Sequence, residues 1–226
     1  MAARAWAFLL LLALPDEPDR ILSDGSVRGF YGEAFALADV NGDGFRDLIV
    51  GAPGWPDSSS EIGRAYLHLG GPAGPSATPV WTSSGDAAPQ SFFGRQVVAA
   101  GDVNGDGFGD VLVGAQAGAF DKVFLFFGHS GGLSAAAGWT LVPGHHVSFD
   151  WAGDVNGDGF GDVVLGWMDG AGVGVAALYT GNPGGMSEGA VWQVEGYEGP
   201  VAGASDVNRD GFSDVLVARN NDVAVF

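Results

Sequence analysis

The sequence predicts an all-β protein, a β-propeller of four-stranded blades, on three observations. A nine-residue acidic pattern, Asp-Val-Asn-x-Asp-Gly-Phe-x-Asp, occurs four times, beginning at Asp39, Asp102, Asp154 and Asp206. Its starts are spaced by 63, 52 and 52 residues. Short apolar runs recur in the same order around every copy, bounded by Gly, Pro, Asn and Asp, which marks strands rather than helices. Four strands in a period of about 50 residues is the signature of a propeller blade.

The elements follow in order. A leading run of small and apolar residues precedes each acidic loop, at 34–38, 96–100, 147–152 and 200–204. A β-branched run follows the loop, at 48–50, 111–113, 163–165 and 215–217. A third apolar run comes next, at 65–69, 123–127, 173–179 and 223–226. A Trp-led segment closes three of the periods, at Trp81, Trp139 and Trp192. Repeated aromatics at one blade position are expected to fill the seams between blades. The fourth period stops after its third run, and residues 20–23 fall where a fourth strand would sit. That register is compatible with a ring closed by the N-terminal strand, or with a piece of a larger propeller.

The chain has 226 residues, 46% of them apolar, enough for a substantial core. Forty glycines without a collagen period point to many tight turns. Residues 1–15 read as a secretory signal peptide: Met1-Ala2-Ala3-Arg4, then ten uncharged residues to Leu14. The propeller then occupies 19–226. No segment is long and apolar enough to span a bilayer as a helix. There is no cysteine, which excludes disulfides, thiolate metal sites and cysteine nucleophiles. A net charge of −18 disfavours nucleic acid and anionic membrane as partners. Twelve of the 21 aspartates lie in the four loops, so the acidity is concentrated locally.

In each loop the first, third and fifth positions bring oxygen-bearing side chains at alternate residues of a tight turn. Glycine at the sixth permits the backbone reversal. The seventh offers its carbonyl, and the ninth returns another carboxylate. The candidate ligands are Asp39, Asn41, Asp43, Phe45 and Asp47; Asp102, Asn104, Asp106, Phe108 and Asp110; Asp154, Asn156, Asp158, Phe160 and Asp162; and Asp206, Asn208, Asp210, Phe212 and Asp214. An all-oxygen, carboxylate-rich set suits a hard cation, calcium above magnesium, so up to four Ca²⁺ are expected. The loop opens like an EF-hand, but its last acid comes at position nine and its flanks are strands. Read blandly, each copy is a plain Asn-Gly or Asp-Gly hairpin turn. Four copies that all keep the last Asp speak against that.

These residues resemble the FG-GAP repeat family, found in the β-propeller of integrin α chains and in bacterial surface proteins. The first copy carries Phe30-Tyr31-Gly32 before its loop and Gly51-Ala52-Pro53 after it. The second has Phe93-Gly94 and Gly114-Ala115, the third Phe149-Asp150 and Gly166-Trp167, and the fourth Tyr197-Glu198-Gly199. The resemblance implies calcium in the loops between first and second strands, and a protein or carbohydrate ligand on the opposite face. That face would draw on Trp55, Trp167 and Arg219 as ligand contacts, with Phe120, His145 and His146 nearby. Integrin-like propellers usually have seven blades, so four repeats is a departure.

No catalytic set is visible. No Ser sits in a Gly-x-Ser-x-Gly elbow, and no glycine-rich phosphate loop precedes a helix. The expectation is a non-catalytic, secreted or cell-surface binding or adhesion module, as monomer or dimer. The alternatives are a carbohydrate-processing lyase or hydrolase, and a structural segment of a larger integrin-like propeller.

Overall fold

A computed structural model describes residues 20–25, 28–56, 60–117, 120–197, 199–219 and 221–226. The expected signal peptide lies outside the described residues. The first sheet comprises β1 (Ala34–Ala38), β2 (Asp47–Ala52), β3 (Arg64–His68) and β4 (Trp81–Ser83), paired antiparallel in that order. In the second period come β5 (Gln96–Gly101), β6 (Asp110–Ala117), β7 (Phe120–Phe126), β8 (Gly128–His129), β9 (Gly132–Leu133) and β10 (Trp139–Leu141). The third contains β11 (His145–Gly153), β12 (Asp162–Met168), β13 (Gly174–Tyr179), β14 (Gly181–Asn182), β15 (Gly185–Met186) and β16 (Trp192–Glu195). In both, four strands form the main sheet, while β8 with β9 and β14 with β15 make small hairpins absent from the expected strand set. The fourth sheet has three strands, β17 (Val201–Ser205), β18 (Asp214–Arg219) and β19 (Asp222–Val225). The described residues form no helix.

The four sheets stack through their first strands: β1 on β5, β5 on β11, and β11 on β17. No packing of that extent joins β17 back to β1 among the described residues. Stacking buries both faces of the middle strands, which explains their unbroken Val, Ile and Leu runs in place of an alternating pattern. Ile49, Val111, Leu112, Val163 and Leu165 are all fully buried. The expected closure by the N-terminal strand is not what the structure has. Residues 20–23 are not in a strand and lie against the first sheet. Arg20 donates to the carbonyl of Pro75, and the Tyr66 hydroxyl donates to Asp24 Oδ2 at 3.0 Å. These polar partners lie on β3 and its following loop.

The Phe-Gly element gains a physical reason at Phe93 and Gly94. Phe93 is fully buried, with its ring 5.4 Å from Phe124 and 6.2 Å from Phe126. Gly94 has φ +91°, and its carbonyl lies 1.9 Å from where a side chain on Gly51 would begin. Backbone meets backbone there, which only glycine permits. In the third sheet the strand pairing moves this element. Ser148 faces Gly166 as Gln96 faces Gly114, so His145-His146, not Phe149-Asp150, occupies the Phe-Gly place. His146 takes the glycine's positive φ, +53°. Phe149 is instead a buried strand residue of β11.

The recurring tryptophans close the seams, as expected. Trp81 packs on Phe126 at 5.1 Å, Trp139 on Tyr179 at 5.5 Å, and Trp192 on Phe226 at 4.9 Å between ring centroids. Phe126, Tyr179 and Phe226 are equivalent: each faces the residue just after the ninth-position Asp, at Val111, Val163 and Val215. Each seam is therefore an aromatic clasp between neighbouring sheets, worth more than its buried area alone. Trp139→Ala is expected to destabilise the chain by about 3 kcal/mol, read as a shifted urea midpoint. The exposed Phe120→Ala should cost under about 1 kcal/mol.

Candidate metal loops and the opposite face

All four acidic loops join the first and second strands, at one end of the sheets. Each is built alike. Asp39 Oδ1 accepts the backbone N–H of Gly42 at 2.8 Å and of Asp43 at 3.1 Å, and its Oδ2 accepts that of Gly44 at 2.9 Å. Asp102 and Asp154 repeat the three bonds, and Asp206 makes them to Arg209, Asp210 and Gly211. The third-position amide bridges onward: Asn41 Nδ2 donates to Asp43 Oδ2 at 2.9 Å, as do Asn104, Asn156 and Asn208 to their own loop's fifth residue. The fifth-position carboxylates of Asp43, Asp106, Asp158 and Asp210 then accept the N–H of Phe45, Phe108, Phe160 and Phe212.

The fourth position also has a packing reason. A side chain on Gly42 would begin 3.0 Å from the Phe108 ring, and one on Gly157 2.9 Å from Phe212. Gly105 sits in the same way beneath Phe160. Each loop's Phe lies across the preceding loop's glycine. The fourth loop has no such successor among the described residues, and there the position is Arg209, at φ +66°.

The ninth-position carboxylate differs from the others because it is buried. Asp47, Asp110 and Asp162 are fully buried and Asp214 nearly so. One oxygen caps the loop start: Oδ2 accepts from Val40, Val103, Val155 and Val207 at 2.8–2.9 Å. The other reaches across to the segment after the third strand, accepting from Gly70 at 2.7 Å, Gly128 at 2.8 Å and Gly181 at 2.9 Å. Among the described residues Asp214 has no such partner, and its Oδ1 takes Asn208 Nδ2 at 3.3 Å.

Among the described residues no three acidic or histidine side chains converge on one point. The donor set still fits a hard cation. A carboxylate oxygen carries two lone pairs; the first-position Oδ1 takes two backbone N–H groups, but its Oδ2 and the fifth-position Oδ1 take one each and keep acceptor capacity. The residues that would hold an ion are the side chains at positions one, three, five and nine and the carbonyl at seven.

Burial pushes the ninth-position carboxyls up. Desolvation raises Asp110 to about 7, and the charges of Asp106 and Asp102 add to it, against the lowering effect of its two backbone N–H bonds. Asp47 and Asp162 are raised for the same reasons. A folded-state carboxyl above its unfolded value holds its proton better in the fold. Its stability contribution is complete below pH about 4 and is lost as pH rises to about 7. In chelator, the melting temperature is expected to fall between those limits. For Asp110 the slope is at most about 1.4 kcal/mol per pH unit. A melting temperature that rises across this window would contradict the assignment.

At the opposite end, the expected ligand residues do not form one cluster. Trp55 lies beneath the Arg64 guanidinium, 3.2 Å from its ring centroid, so it is occupied by a cation–π contact. Trp167 and Arg219 lie at the seam between the third and fourth sheets, each beside Tyr197. There a cavity of about 490 Å³ is lined by His146, Ser148, Trp167, Met168 and Tyr197. Arg219 lies 5.7 Å over Tyr197. Phe120 and His145 stack together at 4.8 Å. In the same region of the preceding seam, Asp121 pairs with Arg95 at 3.4 Å and accepts the Val147 N–H of the third sheet at 2.9 Å. Sequence reading missed Tyr197 and Met168 as lining residues. Tyr197 was recognisable as the fourth copy of the aromatic at Tyr31 and Phe93.

This construction defines a class: stacked antiparallel sheets, each opened by an acidic turn with a buried closing aspartate. The chain carries FG-GAP repeats. The profile of that family, described as FG-GAP repeat, matches residues 31–68 and 93–131. By sequence the chain is similar to integrin alpha-3 of Cricetulus griseus, 37% identical over 114 residues, covering 50% of this chain and 11% of that protein. It is similar to human integrin alpha-7, 35% over 159 residues, 66% of this chain and 13% of that one. It is also similar to mouse integrin alpha-IIb, 34% over 166 residues, 66% and 16%. The chain thus spans less than a fifth of these relatives. Among solved structures it is similar in fold to the rhamnogalacturonan lyase YesW, with a TM-score of 0.50 at 14% identity over 82% of this chain and 39% of that one. A rhamnogalacturonan lyase of Bacillus licheniformis matches equally, covering 40% of its chain.

Proposed function

We propose that the chain is a calcium-stabilised, non-catalytic β-propeller module that acts outside the cell in adhesion or ligand binding. The four sheets are its blades. The carrying observation is the division of labour between its ends. Four acidic loops of one pattern line one end, and an aromatic-rich cavity with an adjacent arginine opens at the other. Calcium fixes the loops, and the loops fix the seams through the buried ninth-position carboxylates. The ligand enters at the cavity between the third and fourth blades, contacting Trp167, Tyr197 and Arg219. Integrin relatives favour a protein ligand. The likeness to lyases is one of fold and carries no activity.

Solid-phase binding of the chain to panels of secreted proteins and of glycans, with and without calcium, tests this reading. Calcium-dependent capture of a protein that Trp167→Ala weakens at least about tenfold supports it. Binding to neither panel defeats it. Conversion of a glycan to product would favour the carbohydrate-processing alternative.

A further inference from the structure

The cavity between the third and fourth sheets has a filled counterpart one seam earlier. Strand register fixes the correspondence. Ser148 faces Gly166 as Gln96 faces Gly114, and Gly174 faces Met168 as Asp121 faces Gln116. In the fourth sheet Ala218 donates to the Pro200 carbonyl at the place where Ser148 faces Gly166, so Gly199 corresponds to Val147.

Between the second and third sheets three side chains occupy this place. Gln96 Nε2 crosses to the Phe149 carbonyl at 2.8 Å. The buried Asp121 carboxylate pairs with Arg95 at 3.4 Å and accepts the Val147 N–H at 2.9 Å. Only about 10 Å³ is left between them. At the next seam the three are Ser148, Gly174 and Gly199. Ser148 still crosses, its Oγ accepting the Val201 N–H at 3.2 Å, but it is two atoms shorter in reach. The three smaller residues open the space to about 490 Å³, with a sheet on either side.

The same changes alter the charge. No acid lines the cavity among the described residues. The Gly199 N–H has no acceptor among them, where its counterpart on Val147 has Asp121. Two basic groups stay: His146 lines the cavity, and Arg219 lies over Tyr197. Arg219 forms no ion pair among the described residues, Asp222 opposite it in register included. In a chain of 27 acids and 9 bases, this mouth is locally basic.

We propose that the ligand segment entering here carries a carboxylate beside an aromatic or aliphatic side chain, a refinement that rests on the cavity being the protein-binding site. The carboxylate stands in for that of Asp121, accepting the Gly199 N–H and pairing with Arg219. The apolar side chain takes the room that Gln96 and Val147 fill one seam earlier, against Trp167, Met168 and Tyr197. Arginine keeps its charge at any ordinary pH, and charge-assisted hydrogen bonds are about twice as strong as neutral ones, so the site selects an acid over its amide.

NMR titration of the full chain with acetyl-Phe-Asp-amide, and with acetyl-Phe-Asn-amide as its neutral twin, tests this. Saturable shifts at the Trp167 indole are expected, with the acidic peptide at least about tenfold tighter. Arg219→Gln should bring that ratio to about one. Ser148→Gln, which restores the neighbouring seam's glutamine, should block both peptides. Equal binding of the two peptides overturns the carboxylate assignment and leaves the cavity as a ligand site. A preference that survives Arg219→Gln overturns it too, as does unchanged binding to Ser148→Gln. Failure of both peptides to saturate also overturns it. The effect of Trp167→Ala on capture of a whole protein then judges the broader reading by itself.

Discussion

Asp110→Ala is expected to destabilise the chain by about 3–5 kcal/mol, through the loss of a carboxylate that pins two separate segments. Asp110 is fully buried. It accepts Val103 N–H at 2.9 Å and Gly128 N–H at 2.8 Å, and both bonds are buried. The substitution leaves two buried donors unpaired, each costing about 1–3 kcal/mol, and opens a cavity. Gly128 begins the turn that carries Leu133 to the preceding seam, so the damage spreads across sheets. The melting temperature should drop by about 6–20 °C. Asp214→Ala should cost less, because Asp214 holds one backbone N–H where Asp110 holds two. Measuring both in calcium and in chelator separates two roles. A cost that persists in chelator belongs to the hydrogen-bonded clamp. A cost seen in calcium alone would reduce Asp110 to a metal ligand and sink the clamp.

Much of this architecture was legible because the repeat is explicit. The nine-residue loop fixed the period, and the apolar runs between loops placed the ends of the main strands within four residues. The ends of those strands were less legible, since pairing sets them: the bulges before Gly101 and Gly153 add a residue that no propensity signals. The third Phe-Gly element was misplaced for a related reason. Phe149 is the obvious aromatic, yet strand pairing gives that place to His145 and His146, whose backbone adopts a glycine-like φ. Closure by residues 20–23 rested on register alone. The structure leaves residues 20–23 outside any strand, with Arg20 and Asp24 bonded to Pro75 and Tyr66 of the first sheet, partners that register alone does not see. The ninth-position Asp was read as a fourth cation ligand. Its second task, binding a backbone N–H some twenty residues ahead, depends on long-range geometry.

Calcium is expected to raise the melting temperature by about 5–20 °C over chelator, and magnesium to do much less. Extracellular modules bind calcium with Kd of about 10⁻⁴–10⁻³ M. At free calcium of about one to ten times Kd, each loop gains about 0.4–1.4 kcal/mol, and four gain about 2–6. For a chain of this size each kcal/mol moves the melting point by about 2–4 °C. Magnesium demands near-octahedral geometry and gives up its water reluctantly, which a loop tied to its own backbone amides does not accommodate. Asp43→Ala, Asp106→Ala and Asp158→Ala should each remove about a quarter of the gain, since each fifth-position carboxylate is exposed and holds a single backbone N–H. The fourth loop should be the last to fill. Arg209 places a positive charge inside it, where the other three have glycine, and that charge opposes an incoming cation. A melting point indifferent to calcium would mean that backbone amides already satisfy these carboxylates. The loops would then be acidic turns, and the clamp at position nine would hold the seams without a metal.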